Sequence, residues 1–183
     1  FIADGHHRYE TALRYRDERR AAAGVSAPPL GEAPYDYVLC YLTTMEDTGL
    51  VIFPTHRVLA TLSLTVEGFR GALAERFTIE ELPWSAEGLA TMLARFAAAE
   101  HDRSSDTTHL GIAVRGAKSL WLCTAPTSVL PFAPTVPPEL RVLDVTVRHQ
   151  IVLAGILRLP IGDRGGAPGL SYTQDAARAL GLV

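Results

Sequence analysis

The sequence predicts an α+β fold in which helices pack on a mixed sheet. Short β-favouring runs and helical segments both occur, but they do not alternate with the regular period of a doubly wound α/β sheet. The chain has 183 residues, of which 48% are hydrophobic and 20% charged, so it can bury a core as one domain over residues 1–183. Residues 1–3 have the composition of a strand end whose beginning is missing, so we expect the downstream part of a longer protein.

Helices are predicted where helix formers or apolar stripes follow good capping residues. The first is rich in helix formers and ends at Gly24, and Ser85 is a suitable N-cap for another. A later helix, entered through Asp144, is apolar nearly all round and is expected to be buried. The predicted helices span residues 9–23, 68–76, 86–100, 145–157 and 173–180.

Strands are predicted in short apolar runs. Residues 37–42, 50–53 and 77–82 favour β-structure, and residues 110–114 and 120–123 flank the hairpin signal Arg115-Gly116-Ala117-Lys118. Cys40 and Cys123 both lie within such runs. We therefore expect both to be buried, reduced thiols of a cytoplasmic protein.

The charge balance excludes a general affinity for polyanions. The chain has 17 basic and 20 acidic residues, for a formal net charge of -3. We find no helix-turn-helix module and no basic recognition surface, so this fragment is not expected to bind DNA. No apolar run approaches the roughly 20 residues that a membrane helix needs, so no membrane association is expected. The sequence does not indicate the oligomeric state.

Residues Asp4-Gly5-His6-His7-Arg8 lie between the predicted strand end and the first helix. The first turn of a helix has backbone N–H groups without helical partners and a partial positive charge, which suit an anion. Gly5 permits a sharp turn and close approach of a ligand, while the histidines and the arginine add donors for phosphate oxygens. Asp4 could hold a metal, take a hydroxyl proton or cap the helix. The same residue types also form plain turn-and-cap structures, so both interpretations stay open.

His56 and Arg57 directly follow the predicted strand of residues 50–53. One interpretation is a basic wall of a ligand site, because polar side chains at strand ends often build such sites. The other is a solvated turn after Pro54.

Polar residues near the C-terminal end have ordinary structural explanations. Asp144 is expected to cap its helix and to pair with Arg148, and His149 to be a hydrogen-bonded core residue. Thr173 is expected to cap the last helix, with Asp175 in the first turn.

The six histidines show none of the spacings typical of zinc sites. His6 and His7 are adjacent, which predicts rings that point apart. Mg²⁺ that accompanies a nucleotide needs only one or two carboxylates besides phosphates and water, and Asp4 is the candidate ligand.

Residues 2–13 read IADGHHRYETAL. This segment resembles the signature of a bacterial and archaeal family known as domain of unknown function 1015. Residues 49–57, Leu143-Asp144-Val145 with His149, and residues 172–176 resemble segments of the same family in the same order. The likeness spans nearly the whole chain.

The order of strand, D-G-x-H-R loop and helix also resembles the phosphate loop of the ParB and sulfiredoxin superfamily. That superfamily includes partition proteins that bind CTP, ATP-using sulfiredoxins and free serine kinases. The resemblance implies that Gly5, His6, His7 and Arg8 hold nucleotide phosphates. It also implies that the carboxylate of Asp4 binds a metal ion or accepts a proton. Histidine stands where the sulfiredoxin loop has cysteine, so sulfinic acid repair is not expected.

We therefore expect a protein that binds a nucleotide (ATP, ADP or CTP) with Mg²⁺, or another phosphorylated small molecule, and transfers a phosphoryl group to a small metabolite. Asp4 and His56 are the predicted catalytic residues. Asp4 binds the metal or takes the acceptor's proton, and His56 with Arg57 steadies the transferring group. The alternative is a non-catalytic, nucleotide-responsive regulatory or binding module of the ParB type.

Overall fold

The computed structural model describes residues 2, 5–44, 47, 49, 53–101, 106–160 and 169–183. The helices are α1 (His6–Ala23), α2 (Val66–Ala74), α3 (Ala86–His101), α4 (Pro138–Arg141), α5 (Asp144–Val147), a π-helix (Arg148–Ile156) and α6 (Ala176–Gly181). The strands are β1 (His56–Leu59), β2 (Thr78–Pro83), β3 (Thr107–Ile112), β4 (Ser119–Pro126) and β5 (Leu170–Thr173).

These elements confirm the α+β class. The described strands form a two-stranded sheet, β1-β5, and a three-stranded sheet, β2-β4-β3, instead of the single mixed sheet that the sequence predicts. All their pairings are antiparallel. The chain divides into two compact units, Phe1–Phe53 and Pro54–Val183.

Helix α1 dominates the first unit. The prediction of a helix over residues 9–23 is confirmed, with an earlier start at His6. The helix ends at Gly24, as predicted, where the Gly24 N–H donates to the carbonyl of Arg20. Glycine suits this position because its φ of 56° lies in the left-handed region.

An ion pair connects α1 to the proline-rich segment that follows it. Arg20 Nη2 lies 2.7 Å from Asp36 Oδ2, and Arg20 Nη1 donates to the Pro28 carbonyl at 3.0 Å. Asp36 also accepts from the N–H groups of Gly31 at 2.9 Å and Ala33 at 3.1 Å. The hydrogen bond from Arg20 holds the pKa of Asp36 below its ordinary value. This network therefore holds residues 28–36 against the C-terminal end of α1.

The strand predicted at residues 37–42 is wrong. These residues form neither helix nor strand; Leu39 is 99% exposed and Cys40 is exposed instead of buried. A β-favouring run becomes a strand only where another strand can bind its N–H and C=O groups, and no described strand pairs with it. Residues 50–52 of the next predicted strand lie outside the described residues.

The three-stranded sheet carries the core of the second unit, with β4 in the centre. The predicted strand of residues 77–82 and the predicted hairpin are both confirmed. Gly116 closes the hairpin with a φ of 88°, a conformation that glycine readily adopts. Cys123 is fully buried on β4, and burial raises the pKa of its thiol to about 12. The prediction of a buried thiol therefore holds for Cys123 only.

Helices α2 and α3 pack beside this sheet and begin at side-chain caps. Thr65 Oγ1 accepts from the Gly68 N–H at 3.0 Å, and Ser85 Oγ accepts from the Gly88 N–H at 3.1 Å, as predicted for Ser85. Leu73 of α2 is fully buried. Helix α3 thus begins where the sequence predicts, and α2 lies two residues before its predicted span of 68–76.

The buried helix predicted over residues 145–157 is confirmed, but it is wound in two ways. One α-helical turn, α5, leads into the π-helix. Asp144 is not the N-cap that the sequence predicts, because Leu143 occupies that position. Asp144 Oδ1 instead accepts from the hydroxyl of buried Thr108 at 2.5 Å, which gives that hydroxyl the partner it needs.

The sheet of β1 and β5 is absent from the sequence predictions. Its register places His56 opposite Thr173 and Arg57 opposite Tyr172. Thr173 therefore belongs to a strand, and the prediction that it caps the last helix is wrong. Asp175 is the cap of α6, since its Oδ1 accepts from the Arg178 N–H at 2.9 Å.

Candidate functional site

The opening turn, which we define as Gly5, His6, His7 and Arg8, starts α1. Gly5 is the N-cap residue, with φ 82° and ψ 16° in the left-handed region. Its carbonyl accepts from the Tyr9 N–H at 2.9 Å. Among the described residues no side chain caps this end, and the first turn contains no acidic residue. The first N–H groups of the helix are therefore suited to an anion.

The basic side chains of the opening turn lie close together and are exposed. Arg8 folds back over Gly5: its Nη2 lies 3.1 Å from the position that a Cβ on Gly5 would occupy. The ring centroids of His6 and His7 are 4.0 Å apart, so the expectation that these rings point apart is wrong. His7 Nδ1 lies 3.3 Å from Glu10 Oε2, which places one carboxylate near the opening turn.

Asp4, the predicted metal ligand and proton acceptor, lies outside the described residues. Among the residues that are described, no three His, Cys, Asp or Glu side chains converge as a metal site requires. The nucleotide and Mg²⁺ predictions therefore stay predictions.

His56 and Arg57 lie in the second unit, on β1, where both are half-buried. The alternative of a solvated turn is therefore wrong. Arg57 lies over the Tyr172 ring, with 5.5 Å from Cζ to the ring centroid, and its Nη1 donates to the Thr55 carbonyl at 3.0 Å. The role of His56 and Arg57 at a transferring phosphoryl group stays a prediction.

Arg57 belongs to what we call the basic cluster: Arg57, Arg148 and His149. Arg148 and His149 are the first two residues of the π-helix. Arg57 Nε, Arg148 Nε and His149 Nε2 are all buried, and within the described part of the chain none has a hydrogen-bond partner. A buried polar group without a partner costs about 1–3 kcal/mol, so folded proteins rarely keep several together.

The charges of the basic cluster act on one another. Burial lowers the pKa of Arg148 to about 10, with a further contribution from Arg57, while Asp144 and Tyr172 oppose the shift. Burial, followed by Arg57 and Arg148, lowers the pKa of His149 below its ordinary 6.5. At neutral pH the cluster therefore contains two guanidinium charges and a neutral imidazole.

A concavity of about 450 Å³ lies beside Arg57, although none of the three cluster residues is part of its lining. Tyr172, whose ring lies under Arg57, and Thr55, whose carbonyl binds Arg57, both line it. The other lining residues are also polar: Thr173, Gln174, Asp175 and Arg178. Arg57 thus lies next to a polar space on the same unit.

The two half-buried imidazoles predict a loss of stability on acidification. Burial, followed by the charge of Arg148, lowers the pKa of His56, and the charge of Asp175 opposes this shift. The pKa of His149 is also lowered, for the reasons given above. Between the lowered pKa values and 6.5 the unfolded chain binds more protons, so the free energy of unfolding falls as pH drops below about 6.5. Urea unfolding across pH 7.5 to 5, roughly the histidine range, measures this slope.

The double variant His56→Asn, His149→Asn serves as the comparison for this prediction. We expect a shallower slope in that variant, because two of the groups that take up protons on unfolding are gone. An unchanged slope would contradict the prediction.

Sequence reasoning assigned Arg148 to an ion pair and His149 to the core. The available signal was the presence of two adjacent basic residues in a helix that is otherwise mostly apolar, with Asp144 as the nearest acid in sequence. Asp144 acts on Arg148 electrostatically, but the predicted ion pair is not among those of the described residues, and the Thr108 hydroxyl donates to Asp144 Oδ1. The pairing of β1 with β5, which brings in Arg57 and Tyr172, has no local signal.

Comparison with known proteins assigns the family. None of the described helices has the length and hydropathy that a bilayer crossing requires. No curated protein and no solved structure matches the chain significantly. The family model described as "Protein of unknown function (DUF1015)" matches residues 1–146, well over half of the 183 residues. The chain therefore belongs to the DUF1015 family.

Proposed function

We propose that this chain binds a nucleotide or another phosphorylated small molecule at the opening turn and acts as a small-metabolite phosphotransferase. The observation that carries the proposal is the position of Arg8, whose guanidinium lies over left-handed Gly5 at the start of an 18-residue helix. The resemblance of this segment to the phosphate loop of the ParB and sulfiredoxin superfamily supports the same assignment.

A phosphate at this end of α1 would accept from the N–H groups of the first turn and pair with Arg8. Gly5 lacks a Cβ and so lets the ligand approach the backbone. The helix dipole and the imidazoles of His6 and His7 add favourable interactions with negative charge. These fixed donors would stabilise the charge that develops on a transferring phosphoryl group.

The proposed reaction conserves atoms and charge in one displacement. The hydroxyl oxygen of the acceptor bonds to the γ-phosphorus of the nucleotide, and the bond from that phosphorus to the nucleoside diphosphate breaks. The hydroxyl proton passes to Asp4, or to water if Asp4 binds Mg²⁺.

Arg8→Ala is expected to weaken ATP binding by at least about tenfold, because it removes a charge-assisted contact to phosphate. Isothermal titration of the full chain with ATP, ADP and CTP, with and without Mg²⁺, measures the effect. Arg19→Ala is the matched control, since Arg19 is an exposed arginine of the same helix. Absence of heat with every nucleotide overturns the proposal, and equal losses in both variants reduce it to non-specific attraction.

Gly5→Ala is also expected to weaken nucleotide binding. The added Cβ would sit 3.1 Å from Arg8 Nη2 and would force a left-handed conformation on alanine. Gly24→Ala, at the other end of α1, has a similar backbone penalty, because Gly24 also has positive φ, but no atom lies within 4 Å of its Cβ position. We expect the control to lose stability and keep its affinity for ATP; equal affinity of the two variants contradicts the role of Gly5.

A turnover assay separates phosphotransfer from the regulatory alternative. Formation of ADP together with a phosphorylated acceptor supports the enzyme. Saturable binding without turnover, over a panel of hydroxyl-bearing metabolites, supports a nucleotide-responsive binding module.

A further inference from the structure

We propose that the basic cluster binds the phosphate group of a small polar molecule, at a site formed by residues of the second unit. Arg57, Arg148 and His149 each present a buried nitrogen that no described residue binds. The three residues come from two elements of the same compact unit, β1 and the π-helix, and Arg57 acts electrostatically on both Arg148 and His149.

The number of unpartnered nitrogens favours phosphate over carboxylate, with His149 in the tautomer that carries its proton on Nε2. A phosphate monoester has three terminal oxygens and a charge of about -1.5 to -2 at neutral pH. The basic cluster offers three unpartnered nitrogens, two of them on guanidiniums, and Arg Nε with its neighbouring Nη forms a fork that fits two oxygens. A carboxylate has only two oxygens and one charge, so it would leave part of the cluster without a partner.

The acidic groups near the cluster do not replace such a ligand. Asp144 acts electrostatically on Arg148, but the Thr108 hydroxyl donates to its Oδ1. Asp175 acts on His56, but its Oδ1 caps α6. Neither carboxylate binds the unpartnered nitrogens of the basic cluster.

The adjacent concavity has room for the rest of the ligand. Its volume of about 450 Å³ and its lining of hydroxyl, amide and charged side chains suit a polar body with hydroxyl groups. Tyr172 is one of the lining residues and its ring lies under Arg57, so it connects the concavity to that member of the cluster. The inferred ligand is thus a phosphorylated, hydroxyl-bearing small molecule.

The imidazole of His149 provides a reporter that belongs to this site. In the full chain, we expect inorganic phosphate to raise the pKa of His149 by about one pH unit, because a bound dianion stabilises imidazolium. Histidine ring resonances followed by NMR across pH measure the shift, and the His149→Asn variant assigns the signal. Acetate and chloride at equal ionic strength are the comparison anions.

Substitutions test whether the cluster itself holds the anion. Arg148→Gln is expected to reduce phosphate affinity by at least about tenfold, and Arg148→Lys to restore part of it, because lysine retains the charge but lacks the guanidinium fork. Arg95→Gln is the matched control, since Arg95 is an exposed arginine of the same unit. If Arg148→Gln does not fold, Arg57→Gln makes the same test, because it also removes one guanidinium of the cluster.

Three outcomes overturn the inference: no response of His149 to phosphate, an equal response to acetate, or equal loss of affinity in the Arg95 control. The Arg8→Ala variant distinguishes this site from the opening turn. It should leave the phosphate response of His149 unchanged even where it abolishes ATP binding.

Discussion

Replacement of Gly88 by alanine is expected to lower the free energy of unfolding by about 3 kcal/mol. Helix α3 begins only three residues after β2 ends, so its first turn lies against the last residue of that strand. A Cβ on Gly88 would lie 1.9 Å from the carbonyl oxygen of Pro83 and 2.9 Å from its carbonyl carbon. Both are backbone atoms, so no side-chain rotation relieves the overlap. The helix must move away from the strand and open the core beneath Met92, which is buried.

Gly71→Ala is the matched control for Gly88→Ala. Gly71 lies within α2, and no atom lies within 4 Å of the position of its added Cβ. Alanine there is expected to raise the free energy of unfolding by about 0.5–1 kcal/mol, the ordinary helix preference over glycine. Chemical denaturation followed by circular dichroism compares the two variants. If Gly88→Ala lowers the free energy of unfolding by less than about 1 kcal/mol, then α3 and β2 can move apart at little cost, which contradicts the prediction.

Local chemistry explains which elements the sequence could predict. Ser85 caps α3 through a neighbour three residues away, and Gly116 closes a hairpin between adjacent strands. Gly24 ends α1 by the conformation of one residue. In each case the residues that determine the structure are only a few positions apart in the sequence. Their signals are therefore contained in a short stretch of sequence.

Elements that depend on distant partners could not be predicted in the same way. Residues 37–42 have the composition of a buried strand, but composition does not supply a second strand, and Leu39 is 99% exposed. Conversely, β1 contains the polar residues His56 and Arg57, and it forms because β5, far along the chain, pairs with it. Strand propensity describes a fit to neighbours, and those neighbours are unknown before the fold is known.

The same distinction applies to the two candidate sites. The opening turn is contiguous, so its donors could be named from the sequence, and the structure adds the fold of Arg8 over Gly5. The basic cluster requires the β1–β5 pairing and a position of the π-helix that brings Arg148 within electrostatic range of Arg57. The unpartnered nitrogens of Arg148 and His149 are what mark them as a candidate site, and a sequence does not reveal them.

Arg148→Met is expected to raise the free energy of unfolding by about 1–2 kcal/mol while it abolishes the phosphate response of His149. Methionine fills a similar length of space with an apolar, flexible chain. The change removes a buried Nε that has no partner among the described residues. It also removes the repulsion between Arg148 and Arg57, although the attraction between Arg148 and Asp144 is lost as well. It should also raise the pKa of His149, since the charge of Arg148 contributes to the lowered value.

Thermal and urea unfolding of Arg148→Met, in buffer without phosphate, measure the gain. Arg95→Met is the control: Arg95 lies 3.7 Å from Glu80 in an exposed pair, so its loss should change stability by no more than about 0.5 kcal/mol. A loss of about 3 kcal/mol or more in Arg148→Met would mean that the fold depends on this charge as one half of a compensated buried pair. A gain in the free energy of unfolding would mean that the chain keeps a destabilising charge in order to bind its ligand. Saturating phosphate should then reduce the difference in the free energy of unfolding between the two proteins, because it stabilises only the unsubstituted protein.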